Sequence, residues 1–228
     1  SRDGDPAPDG GDRGGAGPVR RLLLARHGQS VSNAVRKFQG AQDVALSPLG
    51  IRQAEALRGA IGRRSIAHVY VSPLERARRT AEIALDGLGR PVTVVDDLRE
   101  LSLGEWEGCT VEEIRTRPGD PYTQWVRDPV LCLPPGSEPL GEVQARVLRV
   151  VEQIGRAHPN GDDVLIVSHG GVISALLAHW LGLPLSSIWR IAVANCSLSE
   201  ISPPRVVSVN ETGHLRDIDV AVPAPLSP

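Results

Sequence analysis

Two histidines occupy matching places in this chain. Leu22-Leu23-Leu24-Ala25 runs into Arg26-His27-Gly28, and Val164-Leu165-Ile166-Val167 runs into Ser168-His169-Gly170-Gly171. A short apolar run that stops at glycine reads as a buried parallel strand, and ligands of open α/β sheets gather just beyond the carboxyl ends of such strands. Both imidazoles would then face one crevice, with the Arg26 guanidinium beside them. A third piece, Ser72-Pro73-Leu74-Glu75-Arg76, begins a helix directly after another strand, and Arg76, one turn in, can point back to the same crevice. Arg78 and Arg79 read as a solvated helix face.

Two arginines and two histidines at strand ends make a pocket for a dianion, because each guanidinium can donate two charge-assisted hydrogen bonds to phosphate. Phosphoryl transfer needs charge neutralisation, in-line positioning and an acid for the leaving oxygen. Neither a GxxxxGK[ST] loop nor a carboxylate cluster with metal-ligand spacing occurs, so the guanidinium groups take the part that Mg²⁺ plays elsewhere. No metal and no other cofactor is expected, and a neutral imidazole is available as nucleophile. For the proton, residues 98–108 offer Glu100, Glu105 and Glu107, and spacing alone does not choose among them.

The elements that must position these groups follow from periodicity and punctuation. Residues 19–25 read as the first strand and residues 28–43 as a working loop. Ser47-Pro48 opens a helix that runs to Gly62, serine suiting the N-cap and proline the first helical position. Residues 68–71 are a second strand, and Ser72-Pro73 repeats the cap-plus-proline start for a helix ending near Gly87. Residues 91–95 form a third strand. Residues 101–141 lose the pattern and read as a lid-like insertion with one short helix near 110–116, its Trp106, Trp125, Leu131 and Leu133 suggesting a partly apolar cover over bulky leaving groups. A helix over about 138–157, the strand 163–168, a helix over 170–181 and strands within 191–201 and 205–209 complete the order. The alternation predicts an α/β fold, a three-layer α/β/α sandwich around a mostly parallel sheet.

With 228 residues, 41% of them hydrophobic, the chain suits one domain, expected over residues 19–220. The Gly/Asp/Pro-rich residues 1–18 read as a disordered tail with no apolar core of a secretory signal, and residues 221–228 as a loose end. No run of about 18 apolar residues is present to span a membrane. A formal charge of −2 gives no general attraction to nucleic acid or anionic membranes, and neither is expected as a partner. Lys37 is the single lysine, which leaves nearly all cationic chemistry to arginine. Cys109, Cys132 and Cys196 are odd in number and widely spaced, so neither a disulfide framework nor a zinc site is expected and a reducing cytoplasm is the simplest home. His68, His158, His179 and His214 match no motif and read as structural or surface residues.

Taken together, four segments resemble the histidine phosphatase superfamily, also called phosphoglycerate-mutase-like. Arg26-His27-Gly28 matches its RHG signature, residues 72–81 its SPLxRAxxTA, residues 98–108 its LxExxxGxWEG and residues 168–171 its SHGG, a match covering roughly residues 20–202. The resemblance implies that His27 is the phosphorylated nucleophile, that Arg26, Arg76 and His169 hold the phosphoryl group, and that Glu100 is the proton donor. It places Ser30, Asn33 and Gly170 where family members add substrate or phosphate contacts. Phosphatases and phosphoglycerate mutases share this core. Residues 101–142 carry eight acidic residues against three arginines, a balance that repels the second phosphate of a mutase intermediate. Residues 134–138, Pro-Pro-Gly-Ser-Glu, imperfectly resemble the PGGES stretch of the phosphatase branch. The expected activity is hydrolysis of a small phosphorylated metabolite. A cofactor-dependent mutase and a non-catalytic phospho-ligand-binding domain are the alternatives, and a homodimer is left open.

Overall fold

The computed structural model describes residues 19–218, so the expected tails at 1–18 and 221–228 lie outside the described residues. Six strands build one sheet: β1 (Arg21–Arg26), β2 (Ile66–Val71), β3 (Val92–Val94), β4 (Asp163–Ser168), β5 (Leu198–Ser202) and β6 (Arg205–Glu211). Their spatial order is β3-β2-β4-β1-β5-β6. The β3-β2, β2-β4 and β4-β1 pairs are parallel, and β5 and β6 run antiparallel along the far edge. Register aligns the strand ends, with Arg26 opposite Ser168 and Val71 opposite Val167.

Successive residues of a strand face opposite sides, and the central strands are apolar on both. Leu22, Leu24, Val164 and Ile166 pack with Val143, Val147, Val150 and Ile154 of α6 (Leu140–Ala157) and Ile173, Leu176 and Leu177 of α7 (Gly170–Leu181). Leu23, Ala25, Leu165 and Val167 pack on the other face with Ala54, Leu57 and Ile61 of α2 (Pro48–Gly62) and Ala77, Ala81 and Ala84 of α3 (Glu75–Leu85). Burying each such leucine or valine contributes roughly 1.5–3 kcal/mol, so both helical layers are held firmly to the sheet.

Local departures from the sequence expectations are informative. The first strand begins at Arg21, and the loop after it contains one helical turn, α1 (Val31–Ala34). Helix α3 starts at Glu75 with Leu74 at its N-cap, not at the Ser72-Pro73 signal. The Ser72 hydroxyl is engaged elsewhere, 2.6 Å from Nε2 of His169. Residues 101–141 hold two helices, α4 (Val111–Arg115) and α5 (Pro121–Arg127), the second capped by Asp120 with proline at its start. The stretch expected as strand over 191–201 yields only β5, because residues 193–196 turn back onto the end of β1 and bond Arg26 and His27.

The apolar cover is also corrected. Trp106 and Trp125 are 1% and 3% exposed and belong to an aromatic cluster with Phe38, Tyr122 and Trp189, with Trp125 4.6 Å from Trp189. They anchor the insertion to the α6/α7 side of the core, leaving only Leu131 and Leu133 of the four exposed. Among the described residues, no helix is long and apolar enough to cross a membrane.

Candidate active site

Three adjacent parallel strands deliver the motif residues to one edge of the sheet. His27 follows β1, His169 follows β4 and Ser72 follows β2. The His27 and His169 rings are buried with centroids 5.1 Å apart, and His27 donates its backbone N–H to the Ser168 carbonyl at 2.9 Å. Nδ1 of His27 lies 2.6 Å from the Gly28 carbonyl oxygen. A carbonyl only accepts, so Nδ1 carries the proton and the lone pair resides on Nε2. Gly28 sits so close to α2 that a Cβ there would come within 2.5 Å of the Gly50 carbonyl oxygen, which explains the glycine after the histidine. Its N–H donates to Thr80 Oγ1 at 2.9 Å, and that hydroxyl donates to the Arg76 carbonyl at 2.6 Å.

Backbone carbonyls orient both guanidinium groups. Arg26 Nη1 donates to Val193 O at 2.5 Å. Arg76, 0% exposed, donates through Nη1 to Gln42 O at 2.6 Å and through Nη2 to Gly40 O at 2.8 Å. Arg26 Nε, Arg76 Nε and His169 Nδ1 are buried without a hydrogen-bond partner among the described residues. Buried N–H groups are ordinarily paired, and three unspent nitrogens on the side chains around His27 form the donor set an oxyanion would take.

Burial, followed by the charges of Arg76 and Arg26, holds His27 well below the usual imidazole range. His169 is held well below it by burial, then by Arg76, His27 and Arg26. Desolvation brings Arg76 down to about 10 against the opposing pull of Glu100 and Asp43, which leaves it charged at neutral pH. The site is therefore two neutral imidazoles beside two cations.

The structure separates the three candidate carboxylates. Glu100 follows a 3-10 turn (Asp96–Leu98) and accepts from the N–H of Gly171, in the first turn of α7, at 3.2 Å. A Cβ at Gly171 would lie 2.3 Å from Leu101 Cδ2 and 2.7 Å from Glu100 Oε1, so glycine there makes room for both side chains. Burial lowers both Arg26 and Arg76, and Glu100 is the leading charge that opposes this at each, a measure of its proximity to them. Glu107 is spent on structure, its Oε1 accepting from Ala41 N, Leu103 N and Ser102 Oγ at 3.0, 3.0 and 3.2 Å. Glu105 is exposed.

Ser30 and Asn33 form a capping box for α1, and Ser30 Oγ also reaches Gln39 at 2.8 Å. Their polar groups are thus engaged in shaping the loop. Gly170 opens α7 with room for a Cβ only 3.5 Å from the Arg26 guanidinium. Arg78 and Arg79 are exposed, Arg79 pairing with Glu82. Among the unmatched histidines, His158 bridges Tyr70 and Asp162, and His214 bonds the Cys196 carbonyl.

Sequence reasoning missed the supports of β1. Asn195 Nδ2 donates to the His27 carbonyl at 3.0 Å and reaches Asn33 Oδ1 at 3.3 Å. Cys196, at φ +54°, aims its N–H at both the Arg26 and His27 carbonyls, at 3.1 and 3.2 Å. The polar break Ala194-Asn195-Cys196-Ser197 inside an apolar stretch was the available signal. No group of three or more His, Cys, Asp or Glu among the described residues could hold a metal ion.

Known proteins similar to this chain identify its family. The model of the histidine phosphatase superfamily, branch 1, matches residues 22–207. Phosphoserine phosphatase 1 of Hydrogenobacter thermophilus is 31% identical over 204 residues, covering 88% of this chain and 96% of that protein. The bifunctional protein Rv2228c of Mycobacterium tuberculosis is 36% identical over 208 residues, 89% of this chain but 57% of that longer protein. Among solved structures, mycobacterial glucosyl-3-phosphoglycerate phosphatase complexed with VO3 superimposes with a TM-score of 0.79 at 32% identity, covering 85% of this chain and all of that one. The fold, the motif residues at its strand ends and these matches lead to one assignment: the chain belongs to the histidine phosphatase superfamily.

Proposed function

We propose that the protein is a metal-independent phosphomonoesterase that hydrolyses a small phosphorylated metabolite through a phosphohistidine on His27. The observation that carries this reading is the fixed tautomer of His27, with Nδ1 spent on Gly28 and Nε2 unprotonated, beside three unpartnered buried nitrogens. Arg26 Nε, Arg76 Nε and His169 Nδ1 donate to the phosphoryl oxygens. Ser72 Oγ, which accepts from Leu74 N at 3.3 Å, donates its O–H in a hydrogen bond to His169 Nε2, and this keeps the His169 ring proton on Nδ1. Nε2 of His27 attacks phosphorus, the bond to the ester oxygen breaks, and protonated Glu100 delivers its proton to that oxygen. The resulting Glu100 carboxylate takes a proton from water, whose oxygen displaces His27. Inorganic phosphate leaves, and Glu100 is protonated again.

Relatives named for phosphoserine and glucosyl-3-phosphoglycerate support a phosphatase over a mutase, as does the acidic balance of residues 101–142, which opposes a second phosphate. The test is a panel of phosphomonoesters assayed for phosphate release before and after exhaustive chelation. The expected result is undiminished turnover without metal. Loss of activity that a divalent cation restores contradicts the reading.

A further inference from the structure

Glu100 lies on a stretch without regular structure, and one largely buried ion pair from elsewhere in the chain, with side chains 4% and 13% exposed, grips both of its flanks. Arg146, on α6 and 3% exposed, donates from Nε and Nη2 to the two carboxylate oxygens of Glu138 at 2.8 and 3.0 Å. Its third nitrogen, Nη1, donates to the Asp97 carbonyl. Glu138 in turn donates its backbone N–H to the Ser102 carbonyl at 3.0 Å, and its carboxylate lies 3.5 Å from Arg99. The pair therefore touches the chain at residues 97, 99 and 102, on either side of Glu100. Burial raises the Glu138 titration, but Arg146 and Arg99 outweigh it and hold the carboxyl below its usual range.

A buried ion pair is an inefficient way to stabilise a fold, since apolar residues of similar volume often do as well or better. What a bidentate, backbone-anchored pair does supply is a fixed geometry. A proton donor must come within about 2.6–3.2 Å of the leaving oxygen, and a displacement of about 1 Å can cost about 10²-fold in rate. We propose that Glu138 and Arg146 are positioning residues that hold the loop bearing Glu100 at its proton-transfer distance from the crevice. This rests on the reading of Glu100 as proton donor. Arg146 also contributes a small lowering of the His169 pKa, so Glu138→Gln is the more selective probe.

The experiment compares kcat/KM for an alkyl and an aryl phosphate, normalised to the phosphoenzyme burst, which counts only folded, competent sites. Aryl leaving groups hardly need a proton. Glu138→Gln is expected to lower alkyl turnover at least about tenfold more than aryl turnover. In a Glu100→Gln background the same change should cost nothing further with the alkyl ester. The double replacement Glu138→Leu/Arg146→Met preserves packing volume and should reproduce the selective loss if the single variant folds poorly. Equal losses on both substrates, or full additivity with Glu100→Gln, overturn the proposal. If Glu100→Gln itself shows no alkyl–aryl contrast, the donor reading fails and the proposal with it; if Glu100→Gln shows the contrast and Glu138→Gln does not, the proposal alone falls.

Discussion

The two halves of this site are built differently. The half built around His27 comes from the ends of β1, β4 and β2, where sheet register alone brings His27, His169 and Ser72 together. The half that carries Glu100 comes from a loop between two 3-10 turns, Asp96–Leu98 and Gly104–Trp106. Four separate ties hold that loop: Ser168 Oγ to the Leu98 carbonyl at 2.8 Å, Gly171 N to Glu100, the Glu107 carboxylate, and the Glu138–Arg146 pair. Side chains set by a sheet inherit their positions from the core. Side chains set by ties depend on partners as far as 71 residues away along the chain, and each tie can be broken alone.

The contrast orders the expected effects of change. Arg76→Lys should cost the most, about 10²–10³-fold in kcat/KM for any monoester, because an ammonium cannot bond Gln42 O and Gly40 O while also presenting Nε to the phosphoryl group. Steady-state kinetics on alkyl and aryl esters measure this, and unlike a change at Glu138 the loss should be equal for both. Asn195→Ala removes the donor to the His27 carbonyl and to Asn33, and should lower stability by about 1–3 kcal/mol in denaturant unfolding.

A smaller effect is acid sensitivity. Burial and the neighbouring arginines hold His27 and His169 below the imidazole range, so the unfolded chain binds protons that the folded one refuses. Their contribution to stability is complete above about pH 6.5 and falls as pH drops below it, by up to about 1.4 kcal/mol per pH unit for each histidine. Thermal unfolding from about pH 7.5 to about pH 5.5 checks the sign. His169→Asn should flatten the slope, and the acid limb of kcat/KM should lie below 6.5, because His27 stays unprotonated there.

The same division marks how much could be read from sequence. Apolar runs ending in Arg26-His27-Gly28 and Ser168-His169-Gly170 announce strand ends, and parallel strand ends converge, so the fold class and the meeting of His27 with His169 were legible in the residues themselves. Spacing could not separate Glu100 from Glu105 and Glu107, because the choice depends on where Gly171 and Ala41 arrive in space. The resemblance to a family made that choice, and Glu100 is the one of the three whose carboxylate accepts from Gly171 in the first turn of α7. Asn195, Cys196 and the Glu138–Arg146 pair were illegible for the same reason: Asn195 bonds a carbonyl 168 residues away, Cys196 bonds the Arg26 and His27 carbonyls, and Arg146 bonds a carbonyl 49 residues away. Ser72 shows the converse failure. Its cap-plus-proline signal is genuine, but the hydroxyl does more at His169 than at the start of a helix.

The central claim is that His27 Nε2 becomes phosphorylated, and trapping the intermediate tests it most directly. Enzyme mixed briefly with a monoester carrying a radiolabelled phosphoryl group, then quenched and digested, should yield a single labelled peptide containing His27. The label should be lost in acid, survive base, and be absent from His27→Ala. An acid-stable label on serine, or equal labelling of wild type and His27→Ala, would contradict the account.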